Sequence, residues 1–255
     1  MCVHVQVQSV LWHPQDAWLL ATGSFDQSVH LLDCRSAASV GHVSVPAEME
    51  SLAWDPFRPE HLYCSLEDGS VVCIDARCLG AQLSSGGVTM VPAHQRAVVQ
   101  HFKAHEETAT SIAFSASVPG LCATSSIDET VRIWDMHSLG PDGSPTLVSY
   151  KTQKVGKLFA LDFSRDEPFM MVSGGDAGIV SVWDCDEQTA IKEYFETRGV
   201  VPVTSEYAFS SEDGATATSD GMDEVPEVDT AGSMGTVSGP ALVEKKKKKK
   251  KKGHA

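Results

Sequence analysis

Apolar and polar residues alternate along this chain in short runs, a period-two pattern that predicts strands with one buried face. Four segments carry the pattern in aligned form. They open Ser9-Val10-Leu11-Trp12-His13-Pro14, Ser51-Leu52-Ala53-Trp54-Asp55-Pro56, Ser111-Ile112-Ala113-Phe114-Ser115 and Ala160-Leu161-Asp162-Phe163-Ser164. They close Val29-His30-Leu31-Leu32-Asp33, Val71-Val72-Cys73-Ile74-Asp75, Val131-Arg132-Ile133-Trp134-Asp135 and Val180-Ser181-Val182-Trp183-Asp184. The aromatic residue and the closing aspartate stand 21 apart in all four, a regularity that marks an internal repeat.

Each unit reads as three strands: the run with the aromatic, a short run such as Leu121-Cys122-Ala123-Thr124, and a β-branched run after a tight turn. The turns Asp26-Gln27, Asp68-Gly69 and Asp128-Glu129 fall 14 residues after the aromatic; the fourth unit has Ala177-Gly178 there, with Asp176 one residue early. No stretch carries the pattern of an amphipathic helix. The prediction is an all-β repeat body over 1–195, with units at about 1–35, 43–77, 102–135 and 155–186. Closing aspartates are 42, 60 and 49 apart, so the segment 78–101, with Ser84-Ser85-Gly86-Gly87, reads as an inserted surface loop.

Composition divides the chain. Up to Phe195 there are 11 Lys and Arg against 24 Asp and Glu; from Glu196 to Glu244 one basic residue faces ten acidic ones. An acidic body repels nucleic acid on average. The segment 196–255 is rich in Ser, Thr, Gly and acid with scattered apolar residues, and is expected to be disordered. Acid follows serine in Ser210-Ser211-Glu212-Asp213, a context acidophilic kinases accept, so phosphorylation is expected at Ser210 and Ser211. The segment ends in eight lysines, Lys245, Lys246, Lys247, Lys248, Lys249, Lys250, Lys251 and Lys252. Such a run reads as a nuclear or nucleolar address able to touch RNA phosphates without reading bases. Seven cysteines with no paired framework suit a reducing compartment, and no apolar run approaches the length of a membrane span. No secretory signal is visible at the amino terminus. An intracellular chain with no membrane partner is expected.

No catalytic constellation stands out, so the chain is read as non-enzymatic, without cofactor or small-molecule substrate. His94, His101 and His105 lack the four-ligand spacing of a zinc site, and no metal is expected. Gly174-Gly175-Asp176-Ala177-Gly178 lacks the lysine and following helix of a phosphate loop and reads as a hairpin turn. Cys64 and Cys73 read as small core residues.

The closing dipeptides Trp134-Asp135 and Trp183-Asp184, with units of this length, resemble the WD-repeat family and imply a β-propeller. The resemblance implies a hydrogen-bonded structural tetrad of His105, Thr124, Asp128 and Trp134. It implies scaffold roles for the turn and closing residues Asp26, Asp33, Asp68, Asp75, Asp135, Trp183 and Asp184. Four recognisable blades are few for a closed ring, so they are expected to be part of a larger propeller of about seven. Leu32-Asp33-Cys34-Arg35-Ser36, Ile74-Asp75-Ala76-Arg77 and the phrase Val7 to Val29 narrow the likeness further. They resemble the carboxy-terminal half of the periodic tryptophan protein 1 family, nucleolar WD proteins of ribosome assembly. That resemblance implies docking of pre-ribosomal particles and assembly factors, in large-subunit assembly and pre-rRNA processing, in the nucleus and nucleolus. The alternatives are a substrate receptor of a cullin–RING ubiquitin ligase and a chromatin or histone-binding WD protein. The ligase reading rests on Asp33-Cys34-Arg35 and Asp75-Ala76-Arg77, although Leu32 and Ile74 stand where its Trp-Asp-x-Arg box has tryptophan.

Overall fold

The computed structural model describes residues 6–36, 38–80, 97–185 and 189–203. They form four antiparallel sheets in chain order. The first sheet holds β1 (Val7–Trp12), β2 (Leu19–Ser24), β3 (Ser28–Asp33) and β4 (Ala38–Ser44). The second holds β5 (Met49–Asp55), β6 (Arg58–Leu66), β7 (Ser70–Asp75) and β8 (Val98–Lys103), with a short helix α1 (Ala76–Gly80) after β7. The third holds β9 (Ala109–Phe114), β10 (Leu121–Ser126), β11 (Thr130–Leu139) and β12 (Pro145–Thr152). The fourth holds β13 (Leu158–Phe163), β14 (Met170–Gly175) and β15 (Val180–Asp184), and is followed by helix α2 (Thr189–Thr197).

Three sheets thus have a fourth strand that the three-strand reading lacks: β4, β8 and β12 lie between the aligned phrases. They read ASVGHVS, VVQHFK and PTLVSYKT, in which apolar and polar residues do not alternate cleanly. β8 pairs with β7, with Val71 opposite Phe102, so residues 102–103 close the second sheet rather than open the third. The segment 78–101 is likewise not all loop. Its first residues end α1, where Leu79 is buried, and its last begin β8; residues 81–96 lie outside the described residues. Gly41 on β4 is what lets α1 approach, since a Cβ there would lie 2.4 Å from the Leu79 carbonyl oxygen.

The hairpin turns repeat one geometry. Gln27, Gly69, Glu129 and Gly178 all take positive φ, and each donates its N–H to the carbonyl three residues earlier. Glycine adopts that conformation freely and the glutamine and glutamate at a cost. Asp26, Asp68 and Asp128 brace the first three turns by accepting the N–H two residues on, at 3.0, 2.9 and 2.9 Å.

Because side chains alternate across a strand, each sheet has two faces to cover. The faces meet in three successive cores. Val29, Leu31 and Val43 of the first sheet pack on Leu62, Val72 and Ile74 of the second. Tyr63, Cys73 and Phe102 meet Ile112, Cys122 and Trp134 of the third. Leu121, Val131 and Ile133 meet Leu158, Met171 and Trp183 of the fourth. Inner strands of the two middle sheets are therefore largely buried on both faces, every residue of β10 included. The end sheets each leave a face open: Val10 and Trp12 in the first, Phe159, Val180 and Val182 in the fourth.

Helix α2 corrects the helix-free reading. Ile191 and Phe195, one helical turn apart, are fully buried in the third core, and Tyr194 and Val200 pack against it. A single short apolar stripe next to an acidic, Ser/Thr-rich stretch gives little period to read. The expected disordered segment is also corrected at its start. Residues 196–203 belong to the folded body, where the Val203 N–H donates to the Ser117 carbonyl at 2.7 Å. Residues 204–255 lie outside the described residues.

Truncating a buried phenylalanine costs about 3–5 kcal/mol. Phe195→Ala is therefore expected to lower the denaturant midpoint of the whole body, and an unchanged midpoint would remove α2 from its core.

Candidate functional site

The third sheet brings His105, Thr124, Asp128 and Trp134 together. Trp134 Nε1–H donates to Thr124 Oγ1 at 2.9 Å, Thr124 Oγ1 lies 2.8 Å from His105 Nε2, and His105 Nδ1 lies 3.1 Å from Asp128 Oδ2. An indole can only donate. Thr124 therefore accepts from Trp134 and passes its own hydrogen to His105 Nε2, which leaves Nδ1–H to donate to the carboxylate. Thr130 completes the end of the relay, its hydroxyl donating to Asp128 Oδ1 at 2.6 Å. Burial lowers the His105 pKa against the opposing pull of Asp128, which keeps the ring neutral as this pattern needs. Burial raises the Asp128 pKa, but the hydroxyl and N–H of Thr130 and then His105 outweigh it, so the carboxylate sits below its ordinary value.

The other sheets carry pieces of this arrangement. In the second, the thiol of Cys64 donates to the Val72 carbonyl at 3.5 Å, and Ile74 fills the tryptophan position. In the fourth, Trp183 is buried beneath Lys151, whose ammonium lies 4.8 Å from the ring centre. Ser181 there donates to the amide oxygen of Gln153 at 3.0 Å. Asp176, in the turn after β14, instead takes the Lys157 N–H from the loop before β13, at 3.0 Å.

The closing aspartates form a second set. Asp33 and Asp75 each hold the arginine two residues on through both carboxylate oxygens, at 2.8 and 2.7 Å for the Nη2 contacts. Hydrogen bonds from Arg35 and Arg77 hold these carboxyls below the usual range. The third sheet has no such arginine, and three long-range contacts stand in. Buried Asp135 accepts from the Tyr194 hydroxyl at 3.1 Å and pairs with Arg198, both beyond the fourth sheet. His137, in the arginine position, crosses to buried Asp55 of the second sheet at 2.7 Å. Sequence spacing could not have found these partners, which are 59, 63 and 82 residues apart. Asp184 ends β15. Ser210, Ser211 and Lys245–Lys252 lie outside the described residues.

The strands β1, β5, β9 and β13 together line a cavity of about 410 Å³. Three of the four aligned aromatics, Trp12, Trp54 and Phe114, face it, with Pro14, Pro56 and Asp162. Trp54 Nε1 is buried without a hydrogen-bond partner among the described residues. The lining is mostly apolar, with Ser51, Ser111 and the Asp162 carboxylate as its polar side chains. Buried thiols elsewhere suit packing: burial pushes Cys73 up to about 12, and Cys185 likewise to about 12. Among the described residues no group of three or more His, Cys, Asp or Glu could hold a metal ion, and no helix is long and apolar enough to cross a membrane.

The model of the WD domain, G-beta repeat, matches residues 2–33, 96–135 and 146–184. WD40 repeats are thus found over the first, third and fourth sheets, and the four antiparallel sheets are consistent with partial propeller blades. An uncharacterized WD repeat-containing protein of Schizosaccharomyces pombe is 28% identical over 162 residues, 63% of this chain and 28% of that protein. The periodic tryptophan protein 1 homolog of Drosophila melanogaster is 27% identical over 176 residues, 67% of this chain and 34% of that protein. DDB1- and CUL4-associated factor 13 of Danio rerio is 26% identical over 175 residues, 69% of this chain and 34% of that protein. The chain thus spans about a third of the length of the curated relatives it matches.

Leaving a buried donor or acceptor unpaired costs about 1–3 kcal/mol. Asp128→Asn and Trp134→Phe are expected to destabilise by that amount in denaturant unfolding, and Asp68→Asn, whose side chain hydrogen-bonds to Ser70 of its own turn, by less than either. Equal losses would mean that the relay adds nothing to the turn. The pH dependence has a definite sign. The folded His105 binds its proton less readily than the unfolded imidazole, with its ordinary pKa near 6.5. Its contribution is complete above that value and is lost as pH falls towards the lower folded pKa. His30 is shifted the same way. Unfolding midpoints should therefore fall as pH drops below about 6.5, less steeply in His105→Gln.

Proposed function

We propose that the chain is a non-catalytic WD-repeat scaffold acting in nucleolar assembly of the large ribosomal subunit. It docks assembly factors and pre-ribosomal particles on blade faces, loops and the cavity of aromatic side chains. The observation that carries this reading is the likeness to periodic tryptophan protein 1, which covers two thirds of the chain. The Lys245–Lys252 run supports it as a nucleolar address and a salt-sensitive RNA contact. Ser210 and Ser211 are the proposed phosphorylation sites. The uncovered apolar faces of the first and fourth sheets are where further blades of a larger propeller would pack.

A second reading, a cullin–RING substrate receptor, is favoured by the likeness to DDB1- and CUL4-associated factor 13 and by the two Asp-x-Arg pairs. Against it, Arg35 and Arg77 are each folded back on their own aspartate, and neither pair follows a tryptophan. Affinity purification of the protein from cells, with mass spectrometry and RNA sequencing of the eluate, tests the choice. Large-subunit assembly factors and pre-rRNA are expected. A cullin with its adaptor, or histones, and no ribosomal material would overturn the scaffold reading. Deleting Lys245–Lys252 from a fluorescent fusion should weaken nucleolar accumulation, and unchanged localisation would sink the address.

A further inference from the structure

His30 and His42 are twelve residues apart in sequence and belong to no ligand motif. The first sheet makes them directly opposite partners on β3 and β4. Residues so placed have Cβ atoms about 4.5–5.5 Å apart, close enough for one ion to bridge their side chains. The two rings lie 5.2 Å apart between centres and 22° from parallel. Bonds of about 2.0–2.1 Å from zinc to imidazole nitrogen put two rings bound side by side on one ion about 5 Å apart. The histidine χ2 torsion is broad, so the exposed His42 ring can turn its lone pair towards the held His30 ring without backbone movement.

The surroundings of His30 match those of a metal ligand. His30 Nε2 lies 3.1 Å from Ser28 Oγ, and Ser28 Oγ donates its own hydrogen to Asp26 Oδ1. Ser28 must therefore accept from Nε2–H, and the lone pair of His30 is on Nδ1. A ligating histidine ordinarily has its other ring N–H tethered in this way, which fixes tautomer and orientation. Burial first, and then the neighbouring His42, lowers the His30 pKa against the opposing pull of Asp26, which favours the neutral ring that binds metal. His42 is exposed and His30 half-buried, so an ion can reach them.

We propose that His30 and His42 form a two-histidine site for a divalent transition metal, with Asp26 and Ser28 as its outer support. Paired imidazoles select zinc, nickel or copper over calcium or magnesium. The remaining coordination positions belong to water, which sets the affinity in a modest range. The site is independent of the ribosomal reading: neither needs the other.

Titrating the full chain with Zn²⁺ alone, followed by calorimetry, tests the proposal. His42→Asn and His30→Asn are each expected to weaken the bridging site at least tenfold, and Ser28→Ala to weaken it several-fold by releasing the ring. His42 is exposed, so the unfolding midpoint of His42→Asn without metal should match that of the parent, which separates lost ligation from lost folding. Cu²⁺ should show magnetic coupling to two imidazole nitrogens in the parent and to fewer in either variant. Zinc affinity unchanged in both histidine variants, or a copper spectrum unchanged by either, would overturn the site.

Discussion

Everything in this body depends on a sheet having two faces, each of which needs apolar cover. Burying apolar surface stabilises by about 25 cal/mol per Å², and a four-stranded sheet has too few side chains to form a core alone. The chain answers by repetition, each sheet covering the next, so that three cores serve four sheets. Leu62 and Tyr63, neighbours on β6, point into different cores, towards the first and the third sheet. Period-two alternation thus sets the sheets in succession, and the cavity between β1, β5, β9 and β13 follows from it.

The polar residues at the two ends of the blades solve a second problem, that of ending strands inside a packed body without stranding donors and acceptors. At one end the turn aspartates take up loop N–H groups, and in the third sheet the relay carries this inwards to Trp134. At the other end the closing aspartates need a cation or strong donors. The first two sheets supply arginine locally; the third draws on Tyr194 and Arg198. This ties the helix after the fourth sheet to the third, and His137 with Asp55 ties the third to the second. Such cross-links keep neighbouring sheets from shifting against one another.

Much was legible from one dimension, and the reason is repetition. Alternation, the spacing of 21 residues and the turn aspartates are local signals, and repeated four times they point to all-β blades before any contact is known. His105, Thr124, Asp128 and Trp134 could be named because a resemblance supplied the pattern and all four belong to one blade. The tight turns at Asp68-Gly69 and Ala177-Gly178 were equally local.

What only the tertiary structure decided was pairing across distance. The edge strands β4, β8 and β12 owe their place to a partner strand more than to their own pattern. Helix α2 exists because Ile191 and Phe195 find a core made by other sheets. Arg198 to Asp135, His137 to Asp55 and His30 opposite His42 join residues with no fixed separation. Sequence by itself determined the local period and hence the class of element. Energies that hold between distant residues depend on which faces and edges meet, and no single stretch of the chain contains that information.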